Sequence, residues 1–274
     1  MHRNYLLSSI ALFVALFAFS FWGAQAHAYP TSIVFVPTGD VKKQGDVNVF
    51  IYTAVNYDPV TSSGGSWFGG NIGILPEYKY GSSGTGFGGL EAGFDVVDPS
   101  SYIPAAPEVK PIFNVKAQIL TESGAIPHVS VGAMDFDPFK SNRGSDVIYL
   151  VATKTLGNDA HPYGRVTLGL GDSLSSNQAI YYGTAPFHNH NEMILGGYES
   201  PSYGPFSMQI DYFGGVSELS STNIALSYTP LPGAVWSLGG FFDNDRSNPA
   251  TTYDGIFMIL ALNWNVKPVV AAVH

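Results

Sequence analysis

Gly89-Leu90-Glu91-Ala92-Gly93-Phe94-Asp95-Val96 and Phe113-Asn114-Val115-Lys116-Ala117-Gln118-Ile119 both divide by parity. In the first, Leu90, Ala92, Phe94 and Val96 alternate with Gly89, Glu91, Gly93 and Asp95. In the second, Phe113, Val115, Ala117 and Ile119 alternate with Asn114, Lys116 and Gln118. Successive side chains of a strand point to opposite faces, so each stretch has one wholly apolar face and one polar face that carries charge. Either the apolar face packs in a dry core, as in a soluble sandwich, or it faces hydrocarbon. The rest of the chain decides between them.

The same division returns along the sequence. Val166, Leu168 and Leu170 oppose Arg165, Thr167 and Gly169; Met208, Ile210 and Tyr212 oppose Gln209 and Asp211; Ile256, Met258, Leu260, Leu262 and Trp264 oppose a face that ends in Asn263 and Asn265. Only 12% of the 274 residues are charged, against the roughly 25% usual for soluble domains, so little charge is available for a water-facing surface. Slipping these strands by one residue would turn Glu91, Asp95, Lys116, Arg165 and Asp211 outward together. In lipid, Lys or Arg at mid-depth costs about 2–4 kcal/mol. The polar face is therefore expected to line an interior.

Residues 1–28 have the layout of a secretory signal. Arg3 stands in a short n-region, an uncharged apolar stretch follows to Trp22, and Ala24-Gln25-Ala26 and Ala26-His27-Ala28 offer small-x-small cleavage sites. Cleavage after Ala28 is the preferred reading, with an uncleaved anchor as the alternative, and 29–274 is taken as one barrel domain. Beyond the leader no stretch approaches the roughly 20 apolar residues of a spanning helix, so membrane contact must use strands. About twelve are expected, at 47–57, 71–80, 88–97, 111–120, 128–135, 146–155, 163–171, 191–198, 206–214, 222–229, 234–242 and 255–265. Connections alternate long and short, with 58–70 long and 81–87 short, as in a bacterial outer-membrane barrel. The fold expected is all-β, an antiparallel transmembrane β-barrel behind a cleaved, Sec-type signal peptide. Tyr57, Tyr80, Tyr198, Tyr228 and Trp264 stand near strand ends, where interfacial aromatic girdles belong.

Pro37-Thr38-Gly39-Asp40, Gly89-Leu90-Glu91-Ala92-Gly93, Lys110-Pro111-Ile112-Phe113-Asn114-Val115-Lys116 and Val129-Ser130-Val131-Gly132-Ala133 follow one another along most of the mature chain. In these blocks the chain resembles the YjbH-like group of bacterial outer-membrane proteins, which open with a Pro-Thr-Ala segment and carry Gly-Leu-Glu and Lys-Pro-x-x-Asn-x-Lys blocks. The resemblance implies an outer-membrane barrel linked to exopolysaccharide export or secretion. The chain departs from the group in having Gly39 where Ala is usual, and in extending past Trp264 to His274.

Zero cysteines exclude disulfides, thiolate metal sites and a lipidated Cys, and a net charge of −9 argues against nucleic acid as a partner. Outer-membrane lipid is the expected surrounding, small solutes or polysaccharide the candidate cargo, and no cofactor is called for. Glu91, Asp95, Asn114, Lys116, Gln118, Arg165, Gln209 and Asp211 are the expected lumen-lining residues. They either select solutes in a narrow porin-like pore or fill a closed interior with paired charges. His188, His190 and Glu192 share one side of an extended segment at metal-ligand spacing, although a solvated loop explains them as well. His128 and Ser130 share a strand face, which raises a barrel-type lipid hydrolase as a rival function; a secreted glycan-binding sandwich is another. The acidic tip at 243–248 lacks the spacing of a calcium loop.

Overall fold

The computed structural model describes residues 32–56, 64–80, 85–98, 111–136, 146–158, 160–174, 192–215, 220–244 and 254–266. Among the described residues fourteen strands run in order: β1 (Asp46–Asn56), β2 (Gly64–Leu75), β3 (Tyr78–Lys79), β4 (Gly86–Phe87), β5 (Gly89–Asp98), β6 (Pro111–Leu120), β7 (His128–Phe136), β8 (Val147–Asn158), β9 (His161–Ser173), β10 (Glu192–Glu199), β11 (Phe206–Phe213), β12 (Ser221–Leu231), β13 (Ala234–Asp243) and β14 (Gly255–Asn265). Twelve of them close into an antiparallel barrel in which each pairs with the next barrel strand along the chain, β2 with β5 across the β3–β4 ribbon, and β1 pairs with β14 across the seam. β3 and β4 form a small separate ribbon. Closure leaves the wall without an open edge, which any spanning sheet requires.

The barrel is apolar outside. Phe94, Phe113 and Val115 are 38%, 38% and 45% exposed, whereas Glu91 and Lys116, opposite each other on β5 and β6, are 5% and 3% exposed. That arrangement is the reverse of a soluble sandwich. On β14 the outward row runs Ile256, Met258, Leu260, Leu262, Trp264; at about 3.4 Å per residue and about 40° of tilt it covers about 20 Å along the membrane normal. Outward aromatics gather toward both ends: Tyr80, Tyr163, Tyr203, Phe206, Tyr228, Trp236 and Trp264 at the short-turn end, and Phe68, Phe94, Phe113, Phe136, Tyr212 and Phe242 toward the opposite one. Of the girdle expected from sequence, Tyr80, Tyr198, Tyr228 and Trp264 all fall at one end, and Tyr57 lies outside the described residues.

Two expectations need correction. β2 spans Gly64–Leu75, not 71–80, so the first connection shortens to 57–63 and the second lengthens to 76–88. Pro76 has no N–H to donate to a ladder, and the glycine-rich start of β2 carries too few side chains to display a period. Elsewhere the alternation of connection length holds, with two residues at 159–160 and 232–233 against long spans at 99–110 and 174–191.

The inner face is also not uniformly polar. Tyr52, Ala54, Ala225, Phe241, Phe257 and Ile259 form one buried cluster, and Val147, Tyr149, Val151, Met193, Leu195 and Phe213 form another. Both lie in the half of the lumen nearer the long connections. Glycines on neighbouring strands make room for the rings, since a Cβ on Gly239 would strike Phe257 and one on Gly255 would strike Phe241.

Leu226 is 56% exposed on the outer face, midway along β12. Leu226→Arg is expected to lower stability by about 2–4 kcal/mol, read by denaturant titration of the barrel in lipid vesicles.

Candidate functional site

The chain's own residues 32–44, just ahead of β1, lie within the lumen. Ser32 and Pro37 form an antiparallel bridge, and the Ile33 N–H donates to the Val36 carbonyl at 2.8 Å, so the backbone reverses over residues 33–36. From this turn the chain descends to Gln44, which bridges Gly73 of β2, and then enters β1 at the short-turn end. The described segment is thus a tight reversal at 32–37, deep in the barrel, joined by one run of chain to the short-turn end; it is called the hairpin below. Ile33, Val34 and Val36 are 0%, 4% and 0% exposed, and they complete the two apolar clusters. The Phe35 ring meets Tyr52 and Phe257 at centroid distances of 5.4 and 5.6 Å.

Asp211 holds the turn. Its Oδ2 accepts three consecutive backbone N–H groups, from Val34 at 2.8 Å, Phe35 at 2.6 Å and Val36 at 2.9 Å. Its Oδ1 accepts from Asn223 Nδ2 at 2.8 Å. Successive N–H groups that converge on one point form an anion-binding nest. Here the anion is a side chain of the wall, wholly buried on β11. A buried carboxylate is tolerated when it is hydrogen-bonded in this way.

Lower in the lumen the contacts become polar and ionic. Gly39 donates its N–H to Thr153 Oγ1 at 2.7 Å and accepts at its carbonyl from Ser130 Oγ at 2.6 Å. Lys116 Nζ donates to the Thr38 carbonyl at 3.2 Å and stands 3.7 Å from Glu91. Glu91 Oε2 accepts from the Lys42 N–H at 2.8 Å, and Lys42 Nζ reaches Asn263 at 3.1 Å. Arg165 pairs with Asp40 on the hairpin and, at 3.2 Å, with Glu199 on the wall. Burial pushes the Asp40 carboxyl up, but the charges of Arg165 and Lys116 outweigh it and hold the group down at about 2.

Of the residues singled out by sequence, Glu91, Lys116, Arg165 and Asp211 all meet the hairpin. The other four bond along the wall: Asn114 joins Asp95 at 2.5 Å to the Asp135 N–H at 3.0 Å, Gln209 accepts from Ser227 at 2.8 Å, and Gln118 contacts His128 and the Leu120 carbonyl. The Pro37-Thr38-Gly39-Asp40, Gly-Leu-Glu and Lys-Pro-x-x-Asn-x-Lys blocks, distant in sequence, therefore meet at Thr38, Glu91 and Lys116. Asn223 stands on the inward parity opposite Ile224, Leu226 and Tyr228, whereas nothing in the sequence beyond the same parity marks Thr153 or Glu199. His188 and His190 lie outside the described residues, and Glu192 is exposed at the start of β10. Of the tip at 243–248, only Asp243 and Asn244 are described.

The His128–Ser130 pair is committed elsewhere. Ser130 is fully buried with its hydroxyl donated to Gly39, while His128 Nδ1 accepts from the Glu122 N–H at 3.1 Å and Nε2 stands 3.6 Å from the Glu122 carboxylate.

Two measurements bear on this seat. A Cβ at Gly39 would lie 2.5 Å from the His128 carbonyl oxygen and 2.8 Å from the Thr153 nitrogen, so the backbone itself would have to move. Gly39→Ala is expected to cost about 1–3 kcal/mol in denaturant titration. Because the folded carboxyl of Asp40 is depressed, its stabilisation is present above about pH 4 and is lost as the pH falls toward about 2. Asp40→Asn is expected to flatten that part of the stability profile.

No protein-family model matches the chain, and no curated protein sequence matches it. Among solved structures, it is similar to the outer membrane phospholipase A from Escherichia coli, with 11% identity, coverage of 87% of this chain and 99% of that one, and a TM-score of 0.45. It is also similar to Pseudomonas aeruginosa OccK8 (OprE), with 11% identity, coverage of 81% and 65%, and a TM-score of 0.32. Likenesses this distant carry no activity over to the present chain.

Proposed function

We propose that this protein is a bacterial outer-membrane barrel acting as a closed scaffold in the envelope, with polysaccharide handling as its setting, and not as an open passive channel. The observation that carries the reading is the 32–44 hairpin, bonded to the wall at the level of Asp211, again at Ser130 and Thr153, and again at Glu91 and Arg165. Hydrogen bonds to charged groups contribute about 1.5–3 kcal/mol each. Loss of two alone would keep an emptied lumen below about one molecule in a hundred. The apolar exterior and paired interior charges support a membrane-embedded body, and the resemblance to the YjbH-like group supplies the link to exopolysaccharide.

The rival with an open pore differs in one readout. In planar bilayers the purified full-length protein is expected to insert, as shown by a heat-dependent shift in gel migration, and to give no unitary conductance steps. Stable, ion-selective steps from the unaltered protein would refute the scaffold reading.

A further inference from the structure

A closed barrel has one pairing unlike the rest. Eleven of its twelve junctions join wall strands adjacent in sequence, whereas the seam joins β1 to β14, from opposite ends of the chain. The entropic cost of closing a loop grows with its length, so contacts between remote segments form late unless something holds the segments together. β12 and β13, joined by the two residues 232–233, need no such help.

The hairpin sits against both seam strands. Ile33 and Val34 pack in one cluster with Tyr52 and Ala54 of β1 and with Phe257 and Ile259 of β14, and Phe35 lies against the stacked Tyr52 and Phe257 rings. At the lower end Lys42 Nζ donates to Asn263 of β14, an acceptor that Asn48 of β1 shares at 3.0 Å. The Gly45 carbonyl accepts from the Val266 N–H at 2.7 Å, which extends the seam by one rung just after the hairpin ends. The far side of the hairpin is fixed to the opposite wall by Asp211 and by the packing of Val36 among residues of β8, β10 and β11.

We propose that residues 33–42 are the element on which the barrel closes. Docked on the β8–β11 wall, the hairpin presents an apolar and amide surface on which β1, covalently next to it, and β14 meet; without it these two strands fail to pair while sequential hairpins still form. The contact is a conformational device, distinct from the scaffold role, and its test does not depend on conductance.

The chain has no cysteine, so introduced pairs report strand pairing without background. Ile51→Cys with Leu260→Cys places two thiols at directly opposed positions across the seam, and Leu226→Cys with Leu238→Cys does so within β12–β13. Each pair is installed in the full chain and in a variant whose residues 33–42 are replaced by a Gly/Ser linker of equal length, and disulfide formation is followed during membrane assembly. In the linker variant the Leu226–Leu238 position is expected to form its disulfide as in the full chain, and the Ile51–Leu260 disulfide is expected to fall at least fivefold. Undiminished yield at the seam would overturn the proposal. So would an equal loss at both positions, which would make the hairpin a general stabiliser only.

Discussion

A carboxylate in a dry place must find donors, and in this barrel Asp211 finds them in the chain's own backbone at residues 34–36. Three consecutive N–H groups converge on Oδ2 while Asn223 serves Oδ1. The geometry binds both parties. The turn at 33–36 has buried amides that need an acceptor, and Asp211 has a charge that needs neutralising by dipoles. Around this contact Ile33, Val34 and Val36 close the apolar half of the lumen, and below it Asp40, Lys42 and Thr38 settle among Arg165, Glu91 and Lys116. The interior is therefore layered, greasy above and ionic below, with the same segment matching each layer in turn.

This layering explains which parts of the structure were legible in the sequence. Hydrocarbon tolerates little charge, so the outward rows Leu90–Val96 of β5, Phe113–Ile119 of β6, Phe206–Tyr212 of β11 and Ile256–Trp264 of β14 are apolar and their period of two stands out. Glu91, Asp95, Lys116, Arg165 and Asp211 mark the inward face by the same rule. Where the lumen itself is apolar the signal vanishes. Val147-Ile148-Tyr149-Leu150-Val151 on β8 alternates between lumen and lipid, yet every residue is hydrophobic. The start of β2 is obscure for a different reason, since glycine has no side chain with which to declare a face.

The hairpin was the least legible element. Ile33-Val34-Phe35-Val36 has no polar alternation, and Thr38, Gly39 and Asp40 are ordinary turn residues. Their meaning lies in hydrogen-bond partners on the wall, 78 to 177 residues away. Sequence left open whether the inward charges lined a pore or filled a plug; several of them instead hold a third body, a stretch of chain that periodicity cannot place. At Gly39 the backbone runs against the His128 carbonyl with no room for a methyl.

The most direct test of the hairpin's seat is thiol accessibility in the folded barrel. Val36→Cys, within the apolar upper lumen, and Lys43→Cys, exposed at the short-turn end, are each exposed to a small water-soluble maleimide in detergent. The account predicts that position 36 reacts at least a hundredfold more slowly than position 43, and that the difference disappears on heat denaturation. Equal labelling rates in the folded protein would show that residues 32–44 do not occupy the lumen.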